Sequence, residues 1–320
     1  MKKWIVLILV FLILTITCIY IFIPAKIVIS VLGKAETTTE GEYRIISQEA
    51  KWERWWRNPE GGMHVTGNPF LYNETKFHII KTGHNAVGVE LDRQKEKYQS
   101  LIYLMPIGHD SVGAIWRCEM PSTNNPFSRI MNYKNAVAIK QDLKAVINNF
   151  SSFVSNPQNV YGFSFFTTSF RDTTLLSSRF ISSSYPSTED VYSYFEVLKR
   201  NIQKQKGKTT GYPIMNIEKQ ENGGFETQVA IPTDRQLRDD GKIVYRRMVP
   251  GKFLCSEVRG GAYTANEALK QMNHYMEDNH KSKMANTFQM LVTDRTKEPD
   301  TLKWITKIYI PIANNDLLSK

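Results

Sequence analysis

The first hydrophobic pattern along the chain is a block without any period. Trp4–Ile23 (WIVLILVFLILTITCIYIFI) contains no charge and follows Lys2-Lys3. About 20 residues at ~1.5 Å rise match the ~30 Å hydrocarbon layer of a bilayer, so the block predicts a transmembrane helix. A cleaved signal peptide would have a shorter apolar core and a small-residue cleavage site. Neither is evident, and TITC is a poor lipoprotein box because Thr17 precedes Cys18. An uncleaved single-pass anchor is therefore expected over residues 1–25. Lys2, Lys3 and the terminal amine favour a cytoplasmic amino terminus, partly balanced by Lys26 and Lys34, which puts the soluble part outside the cytoplasm.

After the anchor the pattern changes to short alternating runs. Lys26–Leu32 is β-branched and predicts a first strand. In IISQEAKWERWW, Ile46, Ala50 and Glu53 with Trp52, Trp55 and Trp56 predict one or two helical turns. Strand-like runs follow at Glu74–Lys81, Ala86–Leu91, Gln99–Met105 and Val112–Met120, bounded by Gly, Asp, Asn or Pro. A turn signal at 122–126 leads into Pro126–Val154, where Ile130, Val137, Ile139, Leu143, Val146, Ile147 and Phe150 recur at helical spacing. Residues 26–157 thus predict antiparallel strands wrapped around one long terminal helix.

The remaining stretch contains one pattern twice. Leu176 answers Leu254 and Ser178 answers Ser256, 78 positions on, and Ile231-Pro232 answers Ile310-Pro311. Each copy reads as an apolar strand, a Gly/Ser/Tyr corner, an amphipathic helix and a hairpin ending in Ile-Pro. A repeat fixes architecture, and two copies are too few for a solenoid. The expectation is a pseudo-symmetric tandem β-α-β-β pair over 158–314, with a cleft at the shared seam and a tail at 315–320. The whole is an α+β protein.

Composition adds little to this picture. The 320 residues are 42% hydrophobic and 22% charged, an ordinary globular balance. The net charge of +10 is scattered, and no basic helix, finger or stacking motif accompanies it, which speaks for a solvated surface and against nucleic-acid binding. Cys18, Cys118 and Cys255 are far apart and lie in apolar runs, as buried thiols would. A Cys118–Cys255 bridge would need the two domains to touch there.

The second copy resembles the gyrase-inhibitor-like (GyrI-like) domain, the effector-binding domain of bacterial transcription activators. The likeness rests on VRGGAYTANEAL, then FQMLVTD, then DTLKWITKIYIPI, and spans roughly Tyr161–Ile312. It implies two β-α-β-β units with small molecules entering the groove between them, and some members are hydrolases. Gln289 and Lys307 stand where that family often has glutamates, which speaks against cation recognition and hydrolysis. The preceding stretch resembles the START-like, polyketide-cyclase-like (SRPBCC) helix-grip family through KWERWW, IWRCEMP and the long final helix. That likeness implies a second hydrophobic cavity between sheet and helix, with Trp52, Trp55, Trp56 and Trp116 as its candidates. No helix-turn-helix precedes the repeat, so direct gene regulation is not expected.

Chemical motifs are sparse. The six histidines show no zinc spacing, and His109-Asp110-Ser111 is too local for a catalytic triad. There is no G-x-S-x-G elbow, Walker loop or dinucleotide fingerprint, so no cofactor, metal or catalytic residue is assigned. Period 2 along Phe253–Val258 puts Phe253, Cys255 and Glu257 on one face, with Glu257 as a possible acceptor. The resemblance makes Tyr263 a pocket candidate, and Tyr212, Met215, Phe288 and Trp304 are expected near the groove. The expected function is non-catalytic binding of small hydrophobic or aromatic molecules, as a membrane-anchored sensor or carrier. Two alternatives stand beside it: a hydrolase or cyclase using Glu257 and Tyr263, and a stress-related module that docks another protein.

Overall fold

The computed structural model describes residues 2–108, 111–171, 173–221, 223–248 and 250–313. His109, Asp110 and the tail 315–320 lie outside the described residues. The chain divides into two compact units, Met1–Val160 and Tyr161–Lys320.

The first unit opens with α1 (Lys2–Phe22), free of charge from Trp4 onward and long enough to cross a membrane, with none of its hydrophobic length buried. Six antiparallel strands follow: β1 (Lys26–Ala35), β2 (Phe70–Tyr72), β3 (Thr75–Gly83), β4 (Ala86–Arg93), β5 (Glu96–Pro106) and β6 (Val112–Pro121). They form one curled sheet in the order β1-β6-β5-β4-β3-β2. β1 alternates exposed and buried over its whole length, as a strand with one covered face must. The helix that covers it is α3 (Pro126–Val154), capped by Asn125, whose side chain accepts from the amides of Phe127 and Ser128. Ile139, Leu143, Val146, Ile147 and Phe150 form its buried stripe, at the i, i+3, i+4 positions the sequence predicts. Of the other helical residues named beforehand, Ile130 and Val137 are exposed.

The contact between α3 and β1 is closest at Gly33. A Cβ there would lie 2.4 Å from Ser151 Oγ and 2.8 Å from Ile147 Cγ1. We expect Gly33→Val to destabilise this unit by about 1–3 kcal/mol through overpacking. Near-ultraviolet circular dichroism during denaturant unfolding would measure it, since four tryptophans sit in this core. At the other end of α3, Arg129 Nε donates to the Ile23 carbonyl at 2.8 Å. Its guanidinium stacks 4.6 Å from the Tyr20 ring centroid, so the foot of α1 is tied to the first turn of α3.

Between β1 and β2 run α2 (Thr39–Ile46) and a 3-10 turn, Glu49–Arg54. The turn carries Trp52 and leads into Trp55 and Trp56. α2 presents Glu42, Ile45 and Ile46 on one buried face, and Glu42 is fully enclosed with neither carboxylate oxygen hydrogen-bonded. Across the unit, buried Asp142 of α3 accepts from Asn73 Nδ2 (2.5 Å), Thr75 Oγ1 (2.8 Å) and Arg93 Nη1 (2.9 Å). A short helix, α4 (Pro157–Tyr161), ends at the junction of the units.

The second unit is an eight-stranded antiparallel sheet with two helices. Its elements are β7 (Phe166–Phe170), β8 (Thr173–Ser182), α5 (Thr188–Lys204), β9 (Ile214–Lys219) and β10 (Phe225–Thr233), then β11 (Val244–Met248), β12 (Gly251–Arg259), α6 (Ala262–Asp278), β13 (Phe288–Leu291) and β14 (Ile305–Ile312). The strand order is β11-β8-β10-β9-β13-β14-β12-β7. The order strand-helix-strand-strand therefore occurs twice, mirrored about the β9–β13 pair, where Met215 faces Gln289. Residues matched in sequence take equivalent places. Leu176 and Ile231 lie beneath α5, and Leu254 and Ile310 beneath α6.

The repeated unit is longer than the sequence pattern shows. β7 and β11 are separated by the same 78 residues, and each precedes the first strand of its copy. They are exchanged: β7 pairs with β12 of the second copy, and β11 with β8 of the first. The two copies are thus interlocked through their outer strands.

Both helices follow local rules. Ser187 and Asp190 form a reciprocal capping box at the start of α5, and Val191, Tyr192, Phe195, Leu198 and Ile202 bury one face. α6 begins after Gly260, whose φ of +140° suits glycine and whose Cβ would meet Thr264 Oγ1 at 2.6 Å. Both helices lie on the same face of the sheet, because the residues beneath them have one strand parity. Among the described residues of this unit, no helix lies on the opposite face.

Candidate functional site

The helix-free face is where side chains from both copies meet. Phe170 of the exchanged strand β7 forms one aromatic group with Phe253, Phe288 and Tyr309 of the second copy. Phe288 stacks on Tyr309 with centroids 5.0 Å apart, and Phe170 meets Phe253 edge-on at 5.1 Å. In the first copy Leu175, Ile214 and Ala230 pack with Met248, Phe288 and Met290. β11 pairs Arg246 with Leu175 and Val244 with Ser177, and paired residues share a face, so Arg246 also projects here.

These elements surround a pocket of about 640 Å³. Its floor comes from Leu175, Ile214, Ala230, Phe253 and Phe288, and its polar positions include Ser177, Asn216, Gln228 and Asn286. Arg246, Arg247 and Lys252 lie on its basic side. A volume of this size is ordinary for a small-molecule site. An adjoining hollow of about 650 Å³ shares Ser177, Gln228 and Arg246 and runs along β8 towards Arg179 and Glu226.

On the helical face the same seam is nearly filled. Tyr185, Tyr192, Gln289, Arg295 and Trp304 border about 40 Å³ there, room for little more than one water. Arg295 stacks 4.7 Å from the Trp304 ring centroid and donates to Thr306 Oγ1 at 2.9 Å. Burial lowers the Arg295 pKa and raises that of Tyr192.

The sequence-named residues divide among these places. Phe288 lines the large pocket. Met215 borders both spaces, although its side chain clusters beneath α5. Trp304 closes the helical seam and donates from Nε1 to the Glu298 carbonyl at 2.8 Å. Tyr212 is half-exposed ahead of β9, and neither it nor Glu257 borders the large pocket. Glu257 does share the face of Phe253 and Cys255, but it is exposed and paired with Lys307 at 3.2 Å. Tyr263 is 83% exposed on the first turn of α6, on the side away from the buried Ala265. Glu257 and Tyr263 therefore share no cavity here. Arg246, Phe253, Asn216 and Gln228 were missed as candidates. Phe253 alone carried a signal, its shared parity with Cys255 and Glu257.

In the first unit Trp52, Trp55, Trp56 and Trp116 are all buried, and their rings fill the space between sheet and helix. Trp52 stacks on Trp56 at 5.5 Å, Trp55 meets Phe150 at 4.9 Å, and Phe77 bridges Trp56 and Trp116. Nε1 of Trp52, Trp56 and Trp116 donates to Ile46 O, Leu71 O and Ser100 Oγ. These contacts are those of a core. Cys118 and Cys255 are free, buried thiols, pushed up by burial to about 12 and about 11, so neither is an activated nucleophile. Burial and the neighbouring Cys255 also hold the Tyr309 phenol well above its ordinary range. No group of three or more potential metal ligands occurs among the described residues.

Comparison with protein-family models and with curated proteins gives no match. Similar solved structures include the EcmrR C-terminal domain, at 13% identity and a TM-score of 0.42, covering 47% of this chain and 98% of that one. A hydrolase from Listeria innocua matches at 11% identity and a TM-score of 0.37, covering 47% and 92%. SAV2435 bound to tetraphenylphosphonium matches at 12% identity and a TM-score of 0.33, covering 49% and 98%.

Proposed function

We propose that this chain is a binding protein for small hydrophobic or aromatic molecules, held at a membrane by α1 with its two units outside the cytoplasm. The observation that carries the proposal is the 640 Å³ pocket on the helix-free face, with an apolar floor drawn from both copies. Burying an aromatic or branched apolar group there contributes roughly 1.5–3 kcal/mol per group. A ligand bridging β9 and β13 would touch both repeats at once, which suits a sensor or carrier. The sequence resemblance to gyrase-inhibitor-like domains points the same way, and the first unit is the helix-grip partner of this assembly.

The test is native mass spectrometry of the full chain released gently from detergent. The expected result is an adduct of a few hundred daltons that is lost on denaturation and is absent or much reduced in Phe288→Ala. Phe288 contacts the aromatic group and the pocket alike, so its truncation should weaken binding about tenfold or more. Binding unchanged in Phe288→Ala would remove the pocket from the account.

A further inference from the structure

We infer that the ligand of this pocket is an amphipathic anion, an apolar or aromatic body bearing a carboxylate, sulfonate or phosphate, and that Arg246 is the residue that selects the charge. The inference rests on the proposed binding role of the pocket. Its basis is the distribution of charge around the lining. No described residue lining the pocket is Asp or Glu. Beyond the lining, two carboxylates of the helix-free face are ion-paired, Glu226 with Arg179 at 3.5 Å and Glu257 with Lys307 at 3.2 Å, and Glu218 accepts from Asn216 Nδ2 at 3.1 Å. A cationic guest would find no carboxylate among the described lining residues and would meet Arg246 at the rim.

Arg246 differs from those two pairs. The β11–β8 register sets it on the pocket face beside Leu175, and it makes no ion pair among the described residues. It borders both the large pocket and the adjoining hollow. A planar guanidinium presents several N–H donors in a fork that matches an oxyanion. Gln228, which borders the adjoining hollow together with Arg246, adds an amide, while its cross-strand partner Asn216 donates to Glu218 Oε1 at 3.1 Å. Leu175, Ile214 and Phe288 provide the apolar floor opposite. An anion on an aromatic body matches this arrangement of apolar floor and cationic rim.

Three probes with one ring and three head groups separate the possibilities: naphthalene-2-carboxylate, naphthalene-2-carboxamide and naphthalen-2-ylmethylammonium. Binding to the full chain in nanodiscs is measured by calorimetry, with empty nanodiscs as blank. The carboxylate is expected to bind about tenfold more tightly than the amide, and the ammonium more weakly than either. Arg246→Gln should abolish the carboxylate's advantage while leaving the amide within about twofold, and raised salt should shrink the same advantage. Since Arg246 is exposed on an outer strand, the variant should keep its melting temperature. Equal binding of the carboxylate and amide, or preference for the ammonium, would overturn the anion inference while leaving a binding pocket in place. A carboxylate preference that survives in Arg246→Gln would overturn the assignment to Arg246. If none of the three binds, both the inference and the pocket's binding role fall together.

Discussion

Raising the pH from 5 to 8 should destabilise the first unit by on the order of 3–5 kcal/mol, and Glu42→Gln should remove most of that dependence. Glu42 is fully buried on α2 with both carboxylate oxygens unpartnered, and burial raises its pKa from 4.5 to about 8. In the unfolded chain the group ionises near its ordinary value, whereas in the folded chain it keeps its proton. Between those two values the native state binds one proton more than the unfolded state, so stability falls as pH rises. The contribution is fully present below about 4.5, declines through the interval, and levels off above about 8. Each pH unit across the window is worth about 1.4 kcal/mol. Denaturant unfolding followed through Trp52, Trp55, Trp56 and Trp116 at several pH values measures the slope. Identical slopes in the wild type and Glu42→Gln would show that this carboxyl is not the group responsible.

Asp142→Ala should cost the same unit about 3–5 kcal/mol. The carboxylate is 2% exposed and is the common acceptor for Asn73, Thr75 and Arg93. Removing it leaves the Arg93 guanidinium, whose side chain is only 10% exposed, with the exposed Glu74 at 3.3 Å as its remaining counter-charge, and strands two neutral donors. Breaking a buried pair by deleting one partner costs more than the pair contributes, because the remaining charge is left without compensation. Replacing Arg93 by Leu in the Asp142→Ala background should therefore recover part of the loss. A double variant as unstable as the sum of the single ones would show that the two groups are not coupled.

Much of the architecture was legible because it is written in apolar periodicity. The stripe of α3 and the alternation of β1 follow from spacing alone, and the repeat was visible because Leu176 and Leu254 do the same work beneath two different helices. The exchanged strands were not legible. FTTSF and VYRRM share little sequence, and which copy a short strand joins is decided by pairing across the sheet, not by its own residues. The same limit applies to the candidate site. Parity placed Phe253, Cys255 and Glu257 on one face, but only the fold shows that Lys307 occupies Glu257 and that the pocket lies nearer Phe253. Arg246 carried no signal, since one arginine in a basic strand looks like any solvated cation. Glu42 did carry one: it stands three and four residues before Ile45 and Ile46, on the face that becomes buried.

The helix-free pocket is tested most directly by filling it. Asn216 sits on the central strand β9 at the pocket wall and is only partly buried, so Asn216→Trp would occupy the space without rebuilding the core beneath α5. Equilibrium dialysis of naphthalene-2-carboxylate against the full chain should give one saturable site in the wild type and none in Asn216→Trp, with the melting temperature of the second unit unchanged. Equal occupancy in the two proteins would contradict the account and place the ligand elsewhere.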